Sequence, residues 1–102
     1  MHPVGIRSNA HFGVNEQVLD AVIDRIRDAL KDFDTARYGV TDVHVERQDD
    51  DSFVIKFSMK SSDAEQADVD ADAAVEAIKK ILRGHFDWGD DVRERQRELT
   101  LA

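Results

Sequence analysis

The stretch "VTDVHVERQDDDSFVIKFSMK", residues 40–60, contains two strand patterns that meet across an acidic turn. In its second half, apolar residues alternate strictly with a second set: Phe53, Ile55, Phe57 and Met59 against Val54, Lys56, Ser58 and Lys60. In its first half, Val43 and Val45 alternate with His44 and Glu46. A period of two predicts half-buried strands, and "DDDS" (49–52) predicts a solvated hairpin tip. The stretch therefore predicts an antiparallel hairpin.

The segment before the hairpin predicts an amphipathic helix that begins after Asn15. Its apolar residues recur at spacings of three and four, namely Val18, Leu19, Val22, Ile23, Ile26, Leu30 and Phe33. This spacing places them on one helix face, which another layer must cover. Asn15 is a good N-cap, and Gly39 can adopt the left-handed conformation that ends a helix.

The segment after the hairpin, residues 61–84, predicts a second helix that Gly84 ends. Two starts fit the sequence. Ser62 and Glu65 have the spacing of a capping box, whereas Asp68 or Asp70 would cap a shorter helix. We favour the shorter helix, because Val69 falls off the apolar face.

The two ends of the chain predict the outer elements. Residues 4–12 alternate with a period of two up to Gly13, and "RELTLA" (97–102) predicts a closing strand through Leu99 and Leu101. The resulting order, β-α-β-β-α-β, predicts one α+β domain over residues 1–102. It would be a ferredoxin-like two-layer sandwich, with two helices on one face of a mainly antiparallel sheet. If either terminal strand failed to join the sheet, the remaining elements would need a partner to complete it.

Composition excludes several classes of function. The chain of 102 residues has no cysteine, so it forms no disulfide, thiolate metal site or cysteine nucleophile. Its net charge of −8 argues against binding to a nucleic-acid backbone. We see no export signal and no apolar run of about 18 residues, so we expect no membrane partner. The expected location is the cytoplasm, or an assembly built there.

A row of acids on the first helix is the predicted interaction site. Its members recur every fourth residue, at Glu16, Asp20, Asp24, Asp28 and Asp32. Like charges at this spacing oppose helix formation by roughly 0.2–0.5 kcal/mol per pair, and the apolar face outweighs that cost. The acidic ridge is either a solubility surface or a docking strip for a basic protein.

The segment "HFDWGDD", residues 85–91, is the second candidate site. Its potential ligand-binding residues are His85, Asp87, Trp88, Asp90 and Asp91. They suit a small ligand under Trp88 or a divalent metal, although an aromatic cap over the core explains them as well. We predict no dedicated metal site, because "DVDADA" (68–73) lacks the glycine and the final glutamate of a calcium loop.

No catalytic motif is found. No serine or threonine lies in a nucleophile elbow, and no glycine-rich turn leads from a strand into a helix. The outward sheet positions carry no aromatic residue on which RNA bases could stack. We therefore predict that the chain is not an enzyme and uses no cofactor.

We predict a non-catalytic interaction or assembly module, a homo-oligomeric or complex-forming structural subunit, because short terminal strands leave sheet edges that another copy can complete. From residue 15 onward, the order helix, hairpin, helix and strand resembles that of small ring-forming proteins of tailed-virus necks and tails. This resemblance implies a subunit of a ring of that type. The alternative is a regulatory domain that binds a small molecule or a divalent metal, using residues 85–91 and the outer sheet face.

Overall fold

The computed structural model describes residues 4–84 and 92–101. Its strands are β1 (Val4–Val14), β2 (Val40–Asp49), β3 (Ser52–Ser61) and β4 (Val92–Leu101). Its α-helices are α1 (Leu19–Ala29), the single turn α2 (Thr35–Tyr38) and α3 (Ala64–Arg83), with 3-10 turns at Glu16–Val18 and Leu30–Asp32. None of the helices in the described ranges combines the length and the hydropathy that crossing a bilayer demands.

The four strands form one sheet in the order β2-β3-β1-β4, with every neighbouring pair antiparallel. β1 lies inside the sheet, paired with β3 on one side and with β4 on the other. The long connections carry α1 and α3, which pack over the same sheet face. The predicted ferredoxin-like α+β sandwich is therefore confirmed, and both terminal strands belong to the sheet.

The core lies between this sheet face and the two long helices. The inward residues of the strands form one cluster with the apolar faces of α1 and α3. At its centre, Phe12 and Phe53 face each other across β1 and β3, and their rings stack with centroids 5.2 Å apart. Burying each such ring contributes about 2 kcal/mol or more, so this pair fixes the register of the two strands.

The first helix is shorter than the sequence predicts. Asn15 caps the preceding 3-10 turn as predicted, with its Oδ1 accepting from the amide of Gln17 at 2.9 Å. The chain then leaves helical geometry at Phe33, whose ring is buried against Tyr38 at 5.4 Å. Burial of Phe33 outweighs continuation of the helix. Gly39, with φ of 65°, ends α2 in the left-handed conformation that its position predicts.

The second helix is longer than the one we favoured. It begins at Ala64, and its N-cap is Asp63, whose Oδ1 accepts from the amide of Gln66 at 2.8 Å. Val69 does lie off the apolar face, with 60% of its surface exposed, but one exposed valine does not prevent helix formation. The prediction of a start at Asp68 or Asp70 is wrong because Asp63 supplies a cap earlier.

Asp70 has a different role from the predicted cap. It accepts from the Ser61 hydroxyl at 2.6 Å and from the Gln66 side chain at 2.9 Å. These two hydrogen bonds hold the pKa of Asp70 below its ordinary value. They also join the end of β3 to the early turns of α3, which stabilises the longer helix.

The terminal strands also extend beyond their predicted ends. β1 continues past Gly13 to Val14, and β4 begins at Val92 rather than near residue 97. A β-bulge in β4 leaves Arg95 without a direct partner on β1, because Gln96 pairs with His11 and Glu94 with Phe12. The bulge places Glu94 and Arg97 on the helix side of the sheet.

An ion-pair network joins β4 to α3 on that side. Arg97 donates to Glu94 at 2.6 Å and to Asp72 at 3.2 Å, and it also contacts Glu76. Lys79 lies 3.2 Å from the Glu94 carboxylate. The side chains of Arg97, Lys79 and Glu94 are at most one-quarter exposed, so water screens these pairs less than ordinary surface pairs.

The network shifts the pKa values of its members. Burial raises the pKa of Glu94, but hydrogen bonds from Arg97 and Lys79 outweigh burial and leave it below the ordinary value. Glu76 has a lowered pKa chiefly because Arg97 donates to it. The pKa of Arg97 is raised by the same contacts, with Glu94 first. The carboxylates are therefore held ionised around one guanidinium.

We predict that Arg97→Met lowers the free energy of unfolding by about 2 kcal/mol, because it removes several charge-assisted hydrogen bonds while keeping an apolar stem over the sheet edge. Urea unfolding followed by circular dichroism measures this. The matched control is Arg27→Met, which removes an exposed pair with Asp24. We expect it to cost less than about 0.5 kcal/mol, and equal losses in the two variants would contradict the assigned role of the network.

The same network predicts a pH dependence of stability. Glu76 and Glu94 titrate near 4.5 when unfolded and lower when folded, so the unfolded chain binds more protons in that window. Their contribution is present above pH 4.5 and is lost as pH falls through the folded pKa values. The stability difference between wild type and Arg97→Met should therefore shrink from neutral pH to about pH 3. A difference that stays constant over that range would contradict this linkage.

Candidate functional site

We call the sheet face that α1 and α3 leave uncovered the open face. Its side chains form three rungs across β2, β3 and β1: Thr41, Ser58 and Arg7; His44, Lys56 and Asn9; Glu46, Val54 and His11. Directly opposite residues in antiparallel strands have Cβ atoms about 5 Å apart, so each rung is a row of interacting side chains. Polar groups from three strands therefore converge on one surface.

A bulge in β2 orients the second rung. Asp42 has φ of 55°, a left-handed conformation that aspartate tolerates better than most residues, and it interrupts the pairing between Thr41 and His44. The Asp42 carbonyl oxygen lies 2.8 Å from Nδ1 of His44, so this nitrogen is the donor. Nε2 of the same ring lies 3.1 Å from a Glu46 carboxylate oxygen. Both ring nitrogens of His44 are therefore engaged, one by the bulge and the other by Glu46.

Glu46, on the third rung, contacts two side chains of the second rung, His44 and Lys56. Lys56 Nζ lies 3.0 Å from its second carboxylate oxygen. The hydrogen bonds from Lys56 and then from His44 hold the pKa of Glu46 below its ordinary value. The charge of Lys56 is thus largely compensated within the protein.

Two neighbouring cavities lie beside these rungs. The smaller, about 310 Å³, is polar and is lined by Arg7, Asn9, Asp42, His44, Lys56, Phe57 and Ser58. The larger, about 470 Å³, is lined by Gly5, Ile6, Arg7, Gly39, Thr41, Ser58, Met59 and Lys60. Since Arg7 and Ser58 line both cavities, we treat the two as one surface, the open-face groove. Each volume falls within the range of small-molecule sites.

The groove contains two uncompensated cations. Within the described residues, the Arg7 guanidinium and the Lys60 ammonium form no ion pair or side-chain hydrogen bond. Both side chains are exposed. In a protein with 22 acidic and 14 basic residues, two free cations beside a cavity form a local positive area that an anionic group can reach.

A third cavity of about 230 Å³ lies at the other end of the open face, next to His11. Nδ1 of His11 lies 2.8 Å from the Gln48 side-chain oxygen, and Nε2 lies 3.2 Å from a Glu98 carboxylate oxygen. The second contact has ion-pair distance but lacks hydrogen-bond alignment, so Nε2 has no hydrogen-bond partner in the described part of the chain. Since this nitrogen is also shielded from solvent, it is not accessible to a ligand in the cavity.

The acidic ridge is exposed along its whole length. Only Asp20, Asp24 and Asp28 lie on α1, since the flanking Glu16 and Asp32 belong to 3-10 turns. Asp20 pairs with Arg47 of β2 at 3.1 Å, Asp24 pairs with Arg27 of α1, and Asp28 pairs with Lys31 of the following 3-10 turn. These basic neighbours offset part of the like-charge repulsion. Docking of a basic partner on the ridge stays a prediction.

The second predicted site, "HFDWGDD", cannot be placed. His85, Asp87, Trp88, Asp90 and Asp91 all lie outside the described residues. Among residues 4–84 and 92–101, no three histidine or acidic side chains are arranged to hold a metal ion.

Sequence reasoning recognised only part of the groove. The alternation of β1 and β3 already places Arg7, Lys56 and Ser58 on the outer face. The same alternation places Gly5 and Lys60 on that face, whereas no pattern in the sequence links Thr41 or Gly39 to them. Their meeting depends on the order β2-β3-β1 and on the register of each pair, and no local motif encodes either.

No protein-family model matches the chain, and no curated protein matches it in sequence. Solved structures do share its fold. A provisionally assigned antibiotic biosynthesis monooxygenase from Chloroflexus aurantiacus has a TM-score of 0.54 at 12% identity, over 96% of this chain and 92% of that one. A Bacteroides thetaiotaomicron protein of unknown function, for which an oxidoreductase activity has been suggested, has a TM-score of 0.55 at 15% identity over 97% and 98%.

A third structure, a provisionally assigned chlorite dismutase, has a TM-score of 0.55 at 14% identity. The alignment covers 96% of this chain but only 43% of the chain of the chlorite dismutase. At these identities, the three likenesses establish a shared fold alone. They decide neither catalysis nor its absence in this chain.

The prediction of a structural assembly module of the virion neck or tail type is wrong. Solved proteins that share the fold over nearly the whole of this chain are provisionally assigned to small-molecule chemistry, as a monooxygenase, a suggested oxidoreductase and a dismutase. That prediction rested on element order and on the lack of a catalytic motif, and neither excludes a cavity built from several strands. The alternative prediction, a regulatory domain that binds a small molecule or a divalent metal, agrees better with these names.

Proposed function

We propose that this protein is a small-molecule-binding domain that takes its ligand in the open-face groove. One observation carries the proposal: two adjoining cavities share Arg7 and Ser58, and two cations beside them have no partner within the described residues. A concave surface with a few converging polar groups is the usual form of a ligand site. The names of the proteins that share this fold support the same class of function.

The location of the groove also suits a regulatory role. The groove crosses β2, β3 and β1, and the same strands carry the core on their other face. A ligand bridging these strands would stabilise the sheet as a unit, by an amount that grows with ligand concentration above the dissociation constant. Binding would then be measurable as a rise in the unfolding midpoint.

A second candidate function is catalysis on the bound molecule. The observation that favours it is that a monooxygenase and a suggested oxidoreductase share the fold over more than nine-tenths of both chains. Incubating the protein with groove ligands in air and analysing the mixture by mass spectrometry tests this candidate. Recovery of unchanged ligand would leave binding as the function.

We predict that fragment-sized organic molecules bind the groove and perturb the backbone amides of Arg7, Lys56 and Ser58 in two-dimensional NMR spectra. For unoptimised probes, we expect dissociation constants of roughly 0.1–10 mM. Ser58→Trp should abolish binding, because an indole there would occupy both cavities.

The matched control is Ala73→Trp, which places the same ring on the exposed side of α3 and should leave binding unchanged. Two outcomes would overturn the proposed function. One is the absence of perturbation with every probe, and the other is perturbation confined to α1 and α3 that Ser58→Trp does not affect.

A further inference from the structure

Building on the proposed function, we infer that the ligand is a monocarboxylic acid. Its carboxylate binds Arg7 next to Lys60, and its uncharged body fills the larger cavity. The proposal goes beyond small-molecule binding, since it assigns the chemical class of the ligand and its orientation.

The position of the two cations supports a carboxylate site. Arg7 pairs with Ser58, and Lys60 lies two residues further along β3, so the cations are diagonal neighbours on one face. Diagonal neighbours are about 7–8 Å apart at their backbones, which long side chains span easily, so one carboxylate can contact both. Arginine presents a planar fork of donors that matches the two oxygens of a carboxylate.

Two glycines leave space for the ligand. Lys60 faces Gly5 across the β1–β3 pair, and Gly39 lines the same cavity. Because neither glycine has a side chain, the cavity stays open where a larger residue would fill it. Ile6 and Met59 border the cavity through their backbones, because their side chains lie in the core on the other face. Arg7 and Lys60 are the only charged residues in the lining of the larger cavity within the described residues, so it suits a molecule with one anionic end and an uncharged body.

The charge of the ligand is limited by its surroundings. Asp42 lines the smaller cavity, so a second acid group there would meet a carboxylate. Lys56, the cation of that cavity, is already paired with Glu46 at 3.0 Å. The net charge of −8 also repels a dianion more strongly than a monoanion. These contacts favour a single carboxylate over a phosphate monoester.

The test compares three probes of similar size: 1-naphthoate, the uncharged 1-naphthamide and the dianionic 1-naphthyl phosphate. Binding to the full chain is measured by NMR titration at low ionic strength, where charge contributions are least screened. We expect naphthoate to bind at least about tenfold more tightly than naphthamide and more tightly than the phosphate, since two good charge-assisted hydrogen bonds are worth that much.

Two variants separate charge from space. Arg7→Gln should weaken naphthoate binding about tenfold and leave naphthamide binding nearly unchanged. Gly5→Val should weaken the binding of both naphthoate and naphthamide, because the valine side chain fills the cavity without changing any charge. Valine is also compatible with a strand. Circular dichroism and urea unfolding confirm that each variant folds. Arg27→Gln, on α1, is the control for a general loss of positive charge, and it should leave the affinity for naphthoate and for naphthamide unchanged.

The outcomes distinguish the carboxylate assignment from the proposed function. If naphthoate and naphthamide bind equally and Arg7→Gln has no effect, small-molecule binding stands and the carboxylate assignment is overturned. Tighter binding of the phosphate also overturns the assignment. If none of the three probes binds the wild-type protein, both proposals fail.

Discussion

β1 is hydrogen-bonded to a neighbouring strand on each side, and the core, the groove and the attachment of β4 all require this double pairing. In the described sheet, β1 is the only strand that contacts both β3, the second strand of the hairpin, and the C-terminal strand β4. Its inward side chains anchor the core through the stacked pair Phe12 and Phe53. Its outward side chains include Arg7, which has a place in the groove only because β3 lies directly beside it. If β1 left the sheet, the core, the groove and the support for β4 would be lost together.

The charges of the protein divide into three environments. On the exposed side of α1, acids pair with neighbouring bases at distances of 3.1–3.4 Å, and water screens these pairs. Between β4 and α3, half-buried pairs around Arg97 hold the edge of the sheet on the helix. In the open-face groove, Arg7 and Lys60 have no partner among the described residues, although acids outnumber bases in the chain. A cation that stays unpaired in an acidic protein is available to an external anion, which is why the groove carries the functional proposal.

The functional prediction made from the sequence failed for a physical reason. Catalytic and phosphate-binding motifs are local because one turn supplies their donors and nucleophiles, so their absence can be read from a sequence. A groove on a sheet face needs no such motif, since its lining comes from three strands and includes residues as distant in sequence as Gly5 and Lys60. The lack of a local motif therefore does not exclude a ligand site built from several strands. The periodicity of the acidic ridge is local and visible in the sequence, whereas the residues of the groove are dispersed along the chain.

The sequence alone determined which residues face inward and which elements form. Periods of two and of 3.6 residues follow from the geometry of strands and helices, so the β-α-β-β-α-β order, the inward set of β3 and the roles of Asn15 and Gly39 could be read from it. The tertiary structure decided the ends of the helices, where burial of Phe33 stops one and the Asp63 cap lengthens the other. It also decided the register that brings Arg7, Ser58 and Thr41 into one rung, and the bulge that turns Arg97 toward α3. These features depend on contacts between residues distant in sequence, and their energies become available only when the sheet has formed.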